Sequence, residues 1–325
     1  MTGTPVPIIL DVDTGIDDAM ALMFAVRSPR IDLRAITCVA GNTGVEQVVR
    51  NTLYVLDTLG APDIPVARGA HRPLLAPLHA ADHVHGRDGL GGFSRPSDRR
   101  LSPHTAVELL RSELMSAVGN GERITLVPTA PLTNIALLLR THPEVAAGIE
   151  RIVFMGGSAE RGNATAVAEF NVWHDPEAAA ITLAAAGQLD IPVTMYGLDV
   201  FDQVTVTATE AAELRRHSDP AAQLAGAILE FQCRVFGLDR ATIGDAGTVC
   251  AVADPAGLTT RAWPVRVDYG HGFGRGQTIV DKRHRGPDLD ADPHREAQYP
   301  ATVVDVAIEV AAEKYARVWQ ATIAD

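Results

Sequence analysis

Ile8-Ile9-Leu10-Asp11-Val12-Asp13-Thr14-Gly15-Ile16-Asp17-Asp18-Ala19 is the stretch on which the reading of the whole chain turns. Its apolar, β-branched opening has the composition of a buried strand. Asp11 and Asp13 close that run two residues apart, so both side chains leave the strand on one face. Gly15 permits a sharp turn, and Asp17-Asp18 open a segment (Ala19, Met20, Leu22, Met23, Ala25, Val26) with helical spacing. Acids at a helix start are favoured by the backbone dipole, which accounts for one or two of these residues. It does not account for four carboxylates within eight residues. Gathered in a low-dielectric crevice they repel one another. The natural occupant is a hard divalent ion that takes oxygen ligands, calcium or magnesium.

The totals narrow the class. A chain of 325 residues with 46% hydrophobic content is ordinary for a globular enzyme. A net charge of −12 argues against nucleic acid or an anionic membrane surface as a partner. Cys38, Cys233 and Cys250 are far apart and in no metal-ligand spacing, so free thiols in a reducing cytoplasm are expected. No basic segment precedes the first apolar run, so no signal peptide is expected. No apolar stretch approaches the length of a membrane span.

Outward from the first strand, short apolar runs alternate with amphipathic segments. Leu33–Ala40 leads into Gly41-Asn42-Thr43-Gly44 and a helix over Val45–Leu59, then a strand over Ile64–Ala67. This rhythm means parallel βαβ units: an α/β fold of one domain, 1–325, with a mostly parallel central sheet and helices on both faces. Such sheets bind ligands beyond the carboxyl ends of their strands, which makes Asp13, Asp17, Asp18 and Asn42 expected neighbours. A long Gly-, Pro- and His-rich stretch over 68–102 interrupts the rhythm, and loops of that length are commonly functional. Within it His85 stands out over His71, His79 and His83, being followed by Gly86 and Asp88-Gly89-Leu90-Gly91.

The strand Arg123–Val127 ends in Pro128-Thr129, where a kinked strand end exposes a carbonyl suited to a hard metal. Asp175-Pro176-Glu177 is a helix start. Asn163, Glu169 and Asn171 show no evident capping role, which favours contacts to a polar ligand. Asp245 heads one more short helix. Trp263–Asp268 and Gly276–Val280, joined by a Gly-rich turn, read as a C-terminal antiparallel hairpin at the sheet edge. Asp281–Pro300 reads as a polar loop, and Val303–Trp319 as a final amphipathic helix.

Asp11-Val-Asp-Thr-Gly-Ile-Asp-Asp-Ala19 resembles the N-terminal signature of the nucleoside hydrolases of the inosine–uridine type. Ala40-Gly-Asn42, Val127–Ala136, Met155-Gly-Gly157, Ala168-Glu-Phe-Asn171 with Asp175-Pro-Glu-Ala178, and Gly274–Asp281 match in order. The resemblance implies hydrolysis of the N-glycosidic bond of purine or pyrimidine ribonucleosides to ribose and free base. It further implies a calcium ion held by Asp13, Asp18, the Thr129 carbonyl and Asp245, with a calcium-bound water activated by Asp13 as general base. By match, Asp17 and Asn171 hold the ribose 2′-hydroxyl, Asp245 approaches the 3′-hydroxyl, and Asn163 and Glu169 take the 5′-hydroxyl. Asn42 orients the acids, and His85 lies near the leaving base. Relatives are dimers or tetramers, so a homo-oligomer is implied.

One position departs from the pattern. Members with broad base specificity carry a leaving-group His immediately before the last metal-binding Asp, and here that position is Gly244. Substitutes for the acid are His85, His83, Asp239 and Arg240, and an aromatic platform is offered by Trp173, Phe231 or Phe236. The same gap motivates an alternative, a nucleoside- or ribose-binding homologue with weak or no turnover. A magnesium-dependent phosphatase of the haloacid dehalogenase type, built on Asp11-Val-Asp-Thr, leaves the Asp17-Asp18 pair unexplained.

Overall fold

In the computed structural model, which describes residues 4–283 and 298–325, the run Val6–Val12 is strand β1. Its last five residues are buried, and alternate side chains serve opposite faces: Ile8, Leu10 and Val12 join one apolar cluster, Ile9 the other. A strand covered on both faces needs apolar residues at every position, which is why this run shows no polar alternation.

The remaining strands are β2 (Ile31–Cys38), β3 (Val66–Arg68), β4 (Ile124–Pro128), β5 (Ile149–Met155), β6 (Val193–Tyr196), β7 (Thr205–Thr207), β8 (Arg240–Thr242), β9 (Leu258–Val267), β10 (Thr278–Val280) and β11 (Thr302–Val310). Nine of them form one sheet in the order β10-β9-β11-β6-β5-β4-β1-β2-β3, while β7 and β8 pair separately. The run from β11 to β3 is parallel throughout, and β9 is antiparallel to both its neighbours. The mostly parallel α/β sheet and the C-terminal antiparallel hairpin are therefore as expected. The chain winds from β1 to β2 and β3 on one side, then returns to β4 on the other. That reversal opens a crevice at the carboxyl ends of β1 and β4.

The C-terminal expectation needs correction. Thr302–Val310 is not the start of a helix but a strand inserted between β6 and β9. The residues explain it: Val303, Val304 and Val306 are β-branched, and Thr302, Val304 and Val306 are buried while Val303 and Asp305 are exposed, a period of two. The helix begins only at Ala312 and runs to Ala324, burying Tyr315, Trp319 and Ile323 at four-residue spacing. Past β6, which stops at Tyr196, Leu198–Phe201 forms a helical turn. The expected polar loop falls largely on 284–297, outside the described residues. No described helix is long and apolar enough to cross a membrane.

Trp319 anchors the last helix, fully buried and donating its indole N–H to the Met20 carbonyl at 3.3 Å. Trp319→Ala should cost about 3–5 kcal/mol in chemical denaturation, as truncation of a large core side chain does. A loss under 1 kcal/mol would mean this helix is not docked on the Ile16–Arg27 helix.

Candidate active site

The crevice is a cavity of about 800 Å³. Asp13 leaves the end of β1, and its Oδ2 accepts the Asn42 N–H at 2.6 Å. That approach requires Gly41, because a Cβ there would sit 2.0 Å from the same oxygen. Asp18 is fully buried, with Oδ1 accepting from Thr129 Oγ1 at 2.8 Å and Oδ2 from the Gly15 N–H at 3.0 Å and Asn42 Nδ2 at 3.3 Å. Ligand oxygens of Asp17, Asp18 and Asp245 lie within 4.8 Å of one another. Asp245 heads the Ala246–Ala253 helix without using its side chain as a cap, which leaves the carboxylate for the cavity.

Asp11 does not join this group. Its Oδ1 accepts from Thr37 Oγ1 at 2.6 Å and Asn134 Nδ2 at 2.8 Å, tying β1 to β2 and to the helix after β4. Of the four N-terminal acids, Asp17 and Asp18 join Asp245 in the close group, Asp13 stands outside it yet near enough to be repelled by Asp17 and Asp18, and Asp11 braces the sheet beneath.

On the opposite wall, Asn171 donates from Nδ2 to the Thr129 carbonyl at 2.9 Å and the Met155 carbonyl at 3.2 Å. This leaves its amide oxygen, and the second lone pair of the Thr129 carbonyl, as acceptors. The view that Glu169 and Asn163 lack capping roles is corrected. Glu169 is the N-cap of the Phe170–His174 turn, accepting from the backbone N–H groups of Gly157, Asn171 and Val172, and Asn163 Oδ1 accepts the Phe170 N–H at 2.8 Å. Both still line the cavity.

His85 also lines it, 6% exposed. Its Nδ1 lies 3.7 Å from Asp17 Oδ1, but this is no ion pair. Nδ1 accepts the Ile16 N–H at 3.2 Å, and burial lowers the imidazole pKa to about 4. The ring is neutral at pH 7, with its proton on Nε2.

Burial, joined at Asp13, Asp18 and Asp245 by repulsion from neighbouring acids, holds the carboxyls above their ordinary range. Asp17 and Asp18 are pushed up to about 6, and Asp13 and Asp245 are raised well above the usual carboxylate value. Two unit charges at this separation repel by about 3–4 kcal/mol at an effective dielectric constant of 20. A helix N-terminus returns only about 0.3–1 kcal/mol. Asp13 Oδ1 and Asp17 Oδ1 are buried without a hydrogen-bond partner. Asp17, Asp18 and Asp245 gather hard oxygen donors around one point, with Asp13 beside them, and that is the environment a divalent cation resolves.

Beyond the acids, the cavity is closed by His79, His83, Phe170, Trp173, Leu198, Phe201, Gln232, Phe236, Arg240 and Thr242. Of the residues considered as leaving-group or base contacts, His83, His85, Arg240, Trp173 and Phe236 line it, whereas Asp239 does not. Phe231 does not either: its ring packs against the backbone of Gly91. Phe201 and Gln232 went unremarked in the sequence. Phe201 lies a few residues past the carboxyl end of β6, where this topology places ligand contacts, and that position was the available signal. Gln232, 5% exposed within a long helix, had none.

The sequence model described as "Inosine-uridine preferring nucleoside hydrolase" matches residues 8–317. The chain belongs to that family. It is a nucleoside ribohydrolase, an N-glycosyl hydrolase, and its acidic crevice is one that can bind a metal. It is 41% identical over 282 residues to the pyrimidine-specific ribonucleoside hydrolase RihA of Photobacterium profundum, covering 85% of this chain and 89% of that one. To the inosine-uridine preferring nucleoside hydrolase of Leishmania major it is 39% identical over 288 residues, covering 87% and 90%. Among solved structures, the purine-preferring ribonucleoside hydrolase of Gardnerella vaginalis superposes with a TM-score of 0.85 at 30% identity, covering 98% of each chain.

The raised pKa values carry a linkage. Acids that ionise near 4 in the unfolded chain and near 6 or above in the metal-free fold make that fold lose stability as pH rises through this interval. A cation binds the ionised form, so calcium should raise Tm more at pH 8 than at pH 5, with EDTA reversing the gain. Thermal melts at both pH values check this, and an equal shift at the two would contradict the assigned cluster.

Proposed function

We propose that the whole chain, 1–325, acts as one calcium-dependent hydrolase domain that cleaves the N-glycosidic bond of ribonucleosides, releasing ribose and a free base. The observation that carries the reading is the set of buried carboxylates with unpaired oxygens at one end of a cavity of about 800 Å³. A calcium ion held by Asp13, Asp18, Asp245 and the Thr129 carbonyl would supply positive charge that orders water and ribose hydroxyls and lowers the pKa of that water.

The chain's own groups do the rest. Asp13 is the general base: Asn42 occupies one of its oxygens, and the other, partnerless, takes the proton of the attacking water. As the bond to the base breaks, positive charge grows on the sugar ring, and the surrounding acids stabilise it. Asp17 and the Asn171 amide oxygen grip the 2′-hydroxyl, and Asn163 and Glu169 the 5′-hydroxyl. Burial pushes Glu169 to about 7, so its carboxyl exchanges a proton near neutrality and can serve as donor or acceptor there. Asn42 braces Asp13 and Asp18 together. His85, neutral, offers Nε2–H toward the base.

The relatives are named for pyrimidine, inosine–uridine and purine preference, so purine and pyrimidine bases both belong in the substrate class tested. We place the enzyme in the cytoplasm as a homo-oligomer, dimer or tetramer; three unpaired cysteines suit a reducing compartment. Gly244 favours a second reading, a nucleoside-binding homologue with weak turnover.

A panel of ribo- and 2′-deoxyribonucleosides, scored by chromatography, separates the two. Ribonucleosides should be cleaved, with their deoxy counterparts slower by about 10- to 100-fold for loss of a hydrogen bond to a charged group. Equal rates on both would count against the roles of Asp17 and Asn171, and binding without product would favour the second reading. Asp13→Asn should lower kcat by about 10²–10⁴.

A further inference from the structure

We propose that Phe201 is a base-binding residue whose ring borders the space a side chain at position 244 would occupy and forms the aromatic wall against which the nucleobase packs. The inference rests on the ribohydrolase reading and names the group that holds the base end of the substrate in this chain.

Gly244 has a φ of +54°, and a Cβ built on it would lie 2.6 Å from Asp17 Cβ and 3.0 Å from Phe201 Cζ. No side chain fits there without movement of both neighbours, so position 244 supplies no acid and no contact. The phenyl ring stands in its place. Its backbone is fixed for the purpose: Thr242 Oγ1 donates to the Phe201 carbonyl at 2.9 Å and accepts the Gly244 N–H at 3.0 Å. One hydroxyl thus sets the ring and the glycine relative to each other.

The same contacts locate the wall. The space beside Gly244 is bounded by Asp17 and Phe201 together, and Gly244 directly precedes Asp245. A ribose held by Asp17 and Asp245 therefore has Phe201 immediately beside the acids. The other cavity aromatics are less suited. Trp173 is engaged with His79 at 5.3 Å and Phe170 at 6.2 Å, and Phe236 is 52% exposed. An aromatic face binds any planar base by stacking and carries no proton. Its contribution falls on binding more than on the chemical step.

The test uses Phe201→Leu, which keeps apolar bulk and removes the ring face. Steady-state kinetics on uridine and inosine are measured beside calorimetric binding of nucleoside, ribose and methyl riboside to both proteins. The KM for nucleosides should rise about 5-fold or more, the low end of what loss of one base–aromatic stack costs, with kcat changing less. Affinity for ribose and methyl riboside, which have no base, should stay within about twofold. A nucleoside KM within twofold of wild type overturns the proposal, as does a parallel loss of ribose affinity, which a merely structural role would produce. If the wild type turns over no nucleoside, the hydrolase reading fails. The wall is then judged by calorimetry alone: selective loss of nucleoside over ribose binding supports it, and no selectivity overturns it.

Discussion

Repulsion among buried carboxylates is the constraint that the rest of this molecule accommodates. Asp17, Asp18 and Asp245 come from two distant parts of the chain and meet with Asp13 beside them, where solvent screens them little. Each device around them lowers the cost. Gly41 lets the backbone reach Asp13, Asn42 links Asp13 with Asp18, and Thr129 reaches across from β4 to Asp18. These bonds fix geometry but add no positive charge. The residual negative potential is what an electrophilic sugar and a divalent ion both seek.

The fold and the acidic end of the site were legible early because they rest on local signals. A strand of β-branched residues, a glycine turn and a helix start repeat along the chain, and the topology rule then brings Asp13, Asn42 and Thr129 to one edge. The last third was harder. Val303–Val310 has enough apolar residues to suit a helix if the run is joined to the next one, and only its two-residue burial pattern, imposed by β6 and β9, separates strand from helix. The roles of Asn163 and Glu169 were half visible. Both line the cavity, but their capping bonds depend on a non-repetitive loop that no periodicity announces.

The far end of the cavity was the least legible part. Its wall is assembled from the turn after β6, the Pro220–Phe236 helix and the small β7–β8 ribbon, short pieces within 198–242 that show no ligand-bearing motif. Gly244 was conspicuous as a missing side chain, yet what replaces it is a matter of packing. The acid end is thus set by electrostatics that residue types declare, and the base end by shape that only the folded chain reveals.

The placement of β11 has a further bearing on how this protein is made. β9 and β10 reach the sheet only through β11, which follows them in the chain yet sits between them and β6. During synthesis the hairpin must wait, attached to nothing in the sheet, until residues 302–310 emerge and slot in beside β6. The edge of β6 stays open over the same interval, so a stalled or shortened chain would present a bare strand to its neighbours, a ready template for association in the wrong partnership.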